Sequence, residues 1–252
     1  MKVFVKQSIK HINNSWREFW DSSGFRIRFI ITLILFFAAA KYCKEYIAIF
    51  NTRPGTLLND PLLSLFKPVD FSVEIFIMFH AILVFAIISL LKHPKRLMIA
   101  LQAYSLLMVF RTVSIYLIPL EAPVDMIFLR DPFAAMYMHK NGLVVNDLFF
   151  SGHVSSSFLF YLVADGKRLK QLILTFTVLI AAMILWQKVH YTVDVIFAPL
   201  FSLLSIKLMT FFNHKMDMVQ TSTYIQSINY PALEKTEEKV DMQPVYDGSE
   251  DR

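Results

Sequence analysis

Long apolar segments are the feature that most restricts the fold of this chain. A helix needs roughly 20 consecutive apolar residues to cross the hydrocarbon core of a bilayer, which is about 30 Å thick. The sequence contains six stretches that approach or exceed this length, at residues 27–50, 71–91, 97–120, 148–164, 169–187 and 191–212. They predict an all-α, polytopic membrane protein built as a bundle of six transmembrane helices.

The composition agrees with a membrane protein and excludes several other classes. Of the 252 residues, 56% are hydrophobic and only 18% are charged, which is unlike the balance of a soluble protein. The chain has one cysteine, so it can form neither an intrachain disulfide nor a site with several thiolate ligands. The net charge of +5 comes from short basic runs beside apolar segments, which favours contact with anionic membrane lipids over binding of nucleic acid.

The distribution of lysine and arginine predicts the orientation of the bundle, because cytoplasmic connections carry an excess of both residues. The rich segments are the N-terminal arm at residues 1–26, the second connection at residues 92–96 and the fourth at residues 167–170. We therefore expect both termini in the cytoplasm. The arm is interpreted as a basic cytoplasmic segment, residues 27–212 as the membrane domain, and the polar residues 213–252 as a disordered cytoplasmic tail.

Ionisable side chains lie in or beside four of the predicted spans, all toward the non-cytoplasmic side. An ionised side chain inside a membrane costs about 2.5 to 3.5 kcal/mol on insertion scales, so each of these residues needs a partner or a function. The six residues are Glu74, Arg111, Asp147, His153, His190 and Asp194. Their common depth predicts one polar site in the outer leaflet.

His190 and Asp194 are four residues apart, so on a helix they would share one face and could form a hydrogen bond. The carboxylate would then fix the tautomer of the imidazole and leave the other ring nitrogen as a nucleophile or a base. The alternative interpretation is a polar pair on a helix surface at the membrane edge.

Ser151, Gly152 and His153 stand at the start of the fourth apolar segment. Glycine allows a ligand to approach the backbone closely, and the N–H groups at a helix start bind phosphate oxygens. The alternative is an N-cap followed by a solvated histidine. Arg111 cannot lose its charge and requires an anion, which would be the phosphate of a substrate or the carboxylate of Glu74 or Asp147.

Four short motifs resemble those of one membrane enzyme family. Residues 147–153 (DLFFSGH) and residues 190–195 (HYTVDV) resemble the two signature motifs of the sphingomyelin synthase family, a branch of the lipid phosphate phosphatase superfamily. Residues 110–116 (FRTVSIY) look like the third-span motif of that family, and residues 72–75 (SVEI) look like a stretch at the start of its second span. The resemblance extends over roughly residues 51–209.

The resemblance implies phosphotransfer in two steps through a phosphohistidine. His190, positioned by Asp194, would attack the phosphodiester of a phospholipid donor such as phosphatidylcholine, and His153 would protonate the departing diacylglycerol. His153 would then deprotonate a lipid alcohol acceptor such as ceramide, which attacks the phosphohistidine.

The resemblance also implies roles for the remaining polar residues. Arg111 would hold phosphate oxygens, with Ser151 and Gly152 at the helix start beside it. Asp147 and Glu74 would orient a histidine or contact the head group. No metal ion or other cofactor is implied, because His190 would supply the nucleophile and Arg111 the positive charge.

Two other functions stay open at this point. A lipid phosphatase or phospholipase C-like hydrolase would use water as the acceptor after the same covalent step. A non-catalytic lipid-binding or scrambling protein would have the fold without the reaction. All three are integral, multi-pass membrane proteins with membrane lipids as partners, and the two enzymes would have their active site on the exoplasmic side. The sequence does not determine the oligomeric state.

Overall fold

The fold is helical throughout the part of the chain that the computed structural model describes, which comprises residues 12, 15–50, 53–130 and 148–240. In these residues the one β-type contact is an isolated bridge between Thr56 and Leu120, so the all-α prediction is confirmed for them. The elements are α1 (Ser23–Phe50), a 3₁₀ turn (Leu63–Leu65), α2 (Ser72–Leu90), α3 (Pro94–Leu117), α4 (Gly152–Val163), α5 (Lys167–Trp186) and α6 (Thr192–Val240).

The chain divides into two compact units, Met1–Met209 and Thr210–Arg252. The helix packing described below belongs to the first unit. The second unit contains the last part of α6.

Five of the described helices are long and apolar enough to cross a membrane, as expected for an integral membrane protein. They are Ser23–Tyr46 within α1, the whole of α2, α3 and α5, and Thr192–Met218 within α6. The backbone hydrogen bonds of a helix are satisfied within the segment, which is the condition for a lone segment to lie in lipid.

The predicted span at residues 148–164 is not among these five, so the described residues do not confirm the count of six spanning helices. α4 has 12 residues and is therefore about 18 Å long, shorter than the hydrocarbon core of roughly 30 Å. Residues 148–150 add to the apolar run but lie before the helix in a non-helical conformation. The N-cap, Ser151, has a ψ of 119°, and the C-cap, Ala164, has a ψ of 152°.

The structure also differs from the prediction of a disordered tail, because α6 continues to Val240. The residues after position 212 include lysine, glutamate, glutamine and methionine, all of which have high helix propensity. Extending a helix also avoids the cost of a new nucleus. Low hydrophobicity therefore argues against a packed core in residues 213–240 but not against a helix. Residues 241–252 lie outside the described part of the chain.

α4 is the central helix of the core, and more than half of its residues are buried. It packs against α2, α3 and α5. Its neighbours bury residues spaced four or seven apart, which is the pattern of one helix face; these residues are Ile75, Ile82, Ala86 and Leu90 on α2 and Ile173, Ile180 and Ile184 on α5. Lipid tails are as apolar as these side chains, so close packing holds such helices together.

α1 packs on the side of this core, against α3. Phe25 and Phe29 of α1 form a buried cluster with Met98 of α3. Further along α1 the side chains of Ile34 and Phe37 are exposed. Among the described helix pairs, α1 therefore has its principal contact with a single neighbour.

The two basic connections between helices meet at one end of the bundle. Arg96 Nη1 lies 2.7 Å from Asp165 Oδ1, and His93 Nε2 lies 3.3 Å from Asp165 Oδ2. These hydrogen bonds hold the pKa of the Asp165 carboxyl below its usual value. Trp16 Nε1 donates to Leu91 O at 2.8 Å, so the N-terminal segment reaches the same end.

At the opposite end of the bundle the buried side chain of Gln187 connects three segments. Its Nε2 donates to Ser72 Oγ at 3.1 Å and to Ile127 O at 3.2 Å, and its Oε1 accepts from Phe71 N at 3.0 Å. The residue is 0% exposed. The amide of Gln187, at the end of α5, thus satisfies polar groups at the start of α2 and in the loop after α3.

We expect Gln187→Leu to lower the free energy of unfolding by about 2–4 kcal/mol. The change leaves the N–H of Phe71 and the C=O of Ile127 buried without this partner, and each unsatisfied group costs about 1–3 kcal/mol. Thermal unfolding of the purified protein in detergent measures the effect. The matched control is Gln171→Leu, because Gln171 is an exposed glutamine of the same helix. Equal melting temperatures of the two variants would contradict the role assigned to Gln187.

Candidate active site

The segment that leads into α6 carries a histidine paired with a carboxylate. His190 Nδ1 lies 3.4 Å from Asp194 Oδ2, and the two side chains are 5% and 0% exposed. A carboxylate without a proton only accepts hydrogen bonds, so Nδ1 donates and Nε2 keeps its lone pair. The structure brings the two residues together, but His190 lies before the helix instead of on it, since α6 begins at Thr192.

The Asp194 carboxylate also organises the start of α6. Its Oδ2 accepts the N–H of Tyr191 at 3.0 Å, which is one half of a capping box, because Tyr191 precedes the helix and Asp194 is its third residue. A negative charge in the first turn also interacts favourably with the helix dipole. Asp194 Oδ1 is buried and has no hydrogen-bond partner within the described residues.

The start of α4 lies against the start of α6. Ser151 N donates to the main-chain oxygen of Asp194 at 3.2 Å, and Ser151 Oγ is buried without a partner in the described part of the chain. The first N–H groups of α4 have no carbonyl one turn earlier to bind. A buried hydroxyl and a positive helix end therefore lie beside the His190–Asp194 pair.

Arg111 reaches the same helix end from α3. Its Nε donates to Phe150 O at 3.1 Å. Its guanidinium lies so close to Gly152 that a Cβ on this residue would overlap Nη1. Arg111 and Gly152, which the sequence analysis places together in phosphate binding, are thus neighbours. The observed position of the guanidinium requires glycine at position 152.

His153 is in the first turn of α4 and faces α2. Its ring packs edge-on against Phe79, with the centroids 4.9 Å apart. With His80 and Ser72 it lines a narrow cleft between the two helices. His80 Nδ1 lies 2.9 Å from Phe76 O and donates to it, since a carbonyl oxygen only accepts. Two histidines therefore border this cleft.

Glu74 and Asp147 are not part of the group that the structure assembles. Glu74 is in the first turn of α2, as predicted from its depth, but its side chain is exposed. Asp147 lies outside the described residues. The structure thus brings together Arg111, the helix start at Ser151 and Gly152, and the His190–Asp194 pair, while the ring of His153 lies against α2.

Asp60, which the sequence analysis did not single out, holds the segment that carries His190. Its carboxylate accepts from Thr192 N at 2.7 Å and Thr192 Oγ1 at 3.1 Å, and from the N–H groups of Leu62 and Leu63. Burial raises the pKa of Asp60, but these hydrogen bonds outweigh burial and leave the pKa below its ordinary value. No local pattern connects residues so far apart in the chain.

Tyr191 anchors the same segment from the other side. Its hydroxyl donates to Glu121 O at 2.9 Å and accepts from Leu58 N at 3.2 Å. Burial raises the pKa of Tyr191, so the phenol remains a neutral donor. Tyr191 therefore fixes the main chain between His190 and Asp194.

The assembled groups suit the transfer of an anionic group. Asp194 fixes the tautomer of His190, and an imidazole held in this way can act through Nε2 as a nucleophile or a base. Arg111 and the start of α4 supply positive charge for an anion in a largely buried place. Among the described residues no group of three or more histidine, cysteine, aspartate or glutamate side chains is arranged to hold a metal ion.

We expect Asp60→Ala to lower the free energy of unfolding by about 1–2 kcal/mol, the usual cost of removing a helix cap. Asp21→Ala, at an exposed aspartate, is the control and should have little effect. Because the folded pKa of Asp60 lies below the ordinary value of about 3.9, its contribution is present at neutral pH and is lost as the pH falls through the folded pKa. The difference between wild type and Asp60→Ala should therefore shrink in acid; a difference that grows below about pH 4 would contradict this role.

Part of the chain is similar to a known protein family. Residues 145–215 match the family model described as PAP2 superfamily C-terminal. The matched residues include the start of α4, all of α5 and the His190–Asp194 pair. The chain matches no curated protein sequence. The family match supports the lipid phosphate phosphatase superfamily, whose members are phosphatases and phosphotransferases, and it indicates phosphatase-like chemistry on lipid phosphates.

Proposed function

We propose that this protein is an integral-membrane phosphotransferase that moves a phospho-head group from a phospholipid to a lipid alcohol such as ceramide, as in the sphingomyelin synthase branch. The observation that carries the proposal is the buried His190–Asp194 pair beside a helix start that bears Arg111 and Gly152. A paired histidine supplies a nucleophile, and the adjacent cation and helix end favour a bound phosphate.

In the first step His190 Nε2 attacks the phosphorus of the donor. A P–N bond forms, the P–O bond to diacylglycerol breaks, and His153 gives its proton to the departing oxygen. In the second step His153 takes the proton of the acceptor hydroxyl. The acceptor oxygen attacks the phosphohistidine, the P–N bond breaks, and His190 is restored with its proton still on Nδ1, held by Asp194.

The phosphate oxygens lie between Arg111 and the start of α4 in this proposal. The guanidinium and the first N–H groups of α4 supply charge and donors. Ser151 Oγ, which is buried without a partner among the described residues, donates to a further phosphate oxygen. These donors stabilise the charge that develops on the phosphoryl group.

Burial of the site supports a lipid alcohol as acceptor over water. His190 and Asp194 are almost completely covered, and a closed site protects a reactive phosphohistidine from hydrolysis. A hydrolase would need an open route for water to the same atom.

The basic end of the bundle supports an exoplasmic site. Lys92, Lys95 and Arg96 lie at the turn between α2 and α3, and Lys167, Arg168 and Lys170 lie at the start of α5. The ion pairs of Asp165 hold the two turns together. By the positive-inside rule this end faces the cytoplasm, with the termini, and the site at the opposite end faces outward.

The test uses purified protein in mixed micelles with choline-labelled phosphatidylcholine, with and without ceramide or diacylglycerol. Label should move to a lipid product only when an acceptor is present. His190→Ala should reduce this transfer by at least about a thousandfold, because it removes the nucleophile. His214→Ala, at an exposed histidine of α6, is the matched control and should retain wild-type activity.

The other outcomes separate the competing functions. Water-soluble label in every condition, lost in His190→Ala, would establish a hydrolase. Lipid movement without any change in chemical structure, unaffected by His190→Ala, would establish a non-catalytic lipid-binding or scrambling protein.

Gly152→Ala tests the position of Arg111. The added methyl group would occupy the place of the guanidinium, so the arginine must move, and we expect transfer to fall by about 10²-fold or more with a small change in melting temperature. Gly166→Ala is the control: its φ of 88° makes alanine strained, but no atom lies within 4 Å of the new methyl group. This control should lose stability and keep its activity. Full activity of Gly152→Ala would contradict the phosphate site.

A further inference from the structure

A cavity of about 480 Å³ lies between α1 and α3, with Met209 of α6 also in its wall. This volume is in the range of small-molecule sites, about 300–1,000 Å³. Its lining extends from Thr32 to Tyr46 on α1 and from Gln102 to Val113 on α3. At the rise of an α-helix these stretches are about 21 Å and 16 Å long, which is roughly the depth of one leaflet.

Four polar side chains in the wall of this cavity, those of Thr32, Gln102, Ser105 and Thr112, donate hydrogen bonds to the wall itself. Gln102 Nε2 donates to Thr32 Oγ1 at 2.9 Å, and Thr32 Oγ1 donates to a main-chain carbonyl of α1 at 2.8 Å. The hydroxyls of Ser105 and Thr112 donate to carbonyls one turn earlier in α3. These groups need no water, so the cavity suits apolar matter.

The cavity opens sideways to the surface of the helix pair. Tyr42 and Tyr46 of α1 and Val109 and Val113 of α3 line it and are also exposed. Both helices are long and apolar enough to span a membrane, so the medium at this opening is lipid hydrocarbon. A lipid chain can therefore enter from the bilayer without crossing water.

One end of the cavity lies at the same level along α3 as the candidate phosphate site. Thr112 lines the cavity and directly follows Arg111, whose guanidinium covers Gly152. Successive Cα atoms are about 3.8 Å apart. A lipid with its chain along the α1–α3 cavity would thus have its polar end at the level of the arginine.

We propose that the α1–α3 cavity binds a hydrocarbon chain of the lipid whose phosphate lies at Arg111. The inference rests on the proposed function, and it names the part of the substrate that α1 recognises. Ala38 and Ala39 provide the space, because their small side chains line the cavity on α1. The cavity selects lipids with long hydrocarbon chains, while Arg111 selects the phosphate.

Filling the cavity tests the proposal. Ala39→Phe should raise the KM for a phosphatidylcholine with 16-carbon chains by about tenfold, the effect of two methylene groups excluded from an apolar site. Turnover of dihexanoyl phosphatidylcholine should be unchanged, because its chains are too short to fill the cavity. Ile34→Phe adds bulk on the exposed side of α1 and is the matched control. Ser105→Leu fills the cavity from α3 and should act in the same direction.

A binding measurement keeps this test separate from the test of function. Phosphatidylcholine with a diazirine in its acyl chain, in nanodiscs, should cross-link to peptides that contain Ala39 and Cys43 in wild type and in Ile34→Phe, but not in Ala39→Phe. This result supports the proposal even if the wild type transfers no label, in which case only the proposed function fails. Cross-links that persist in Ala39→Phe, or an equal loss of activity toward short and long chains, would overturn it.

Discussion

The arrangement of the site depends on the buried carboxylate of Asp194. Its Oδ2 binds His190 and the N–H of Tyr191, while its main-chain oxygen binds Ser151. One residue thus fixes the imidazole, the first turn of α6 and the start of α4. The hydrogen bonds and the helix dipole offset the cost of burying this carboxylate. The oxygens of Asp194 therefore both stabilise the packing of α4 against α6 and orient the imidazole of His190.

Much of the helical framework could be predicted from the sequence because the bilayer leaves few choices. Backbone groups in lipid must be satisfied within a segment, so the apolar runs that became α2, α3 and α5 are helices. The spacing of His190 and Asp194 likewise pointed to their contact. In both cases the signal was local, within one segment or one turn.

The remaining features depend on packing and have no local signal. Position along a span predicts depth but not the direction in which a side chain faces. Glu74 lies in the first turn of α2, at the position along the span that the sequence predicts. It follows the buried Ser72 by two residues, which is a rotation of about 200° around the helix, so its side chain is exposed. The hydrogen bonds of Asp60 and Gln187 join segments more than one hundred residues apart. The apolar run that begins at residue 148 does not show that α4 begins at Gly152, because hydropathy does not register a helix start.

The depth of Arg111 has a consequence for the membrane itself. Arg111 lies six residues before the end of α3 at Leu117, which is about 9 Å along the helix axis. A phosphate held there lies below the level of the helix end, so the bilayer must thin or the lipid must be drawn inward. Such deformation costs free energy that varies with the thickness of the surrounding membrane. The elasticity of the bilayer thereby becomes part of the affinity for every lipid that binds at this arginine.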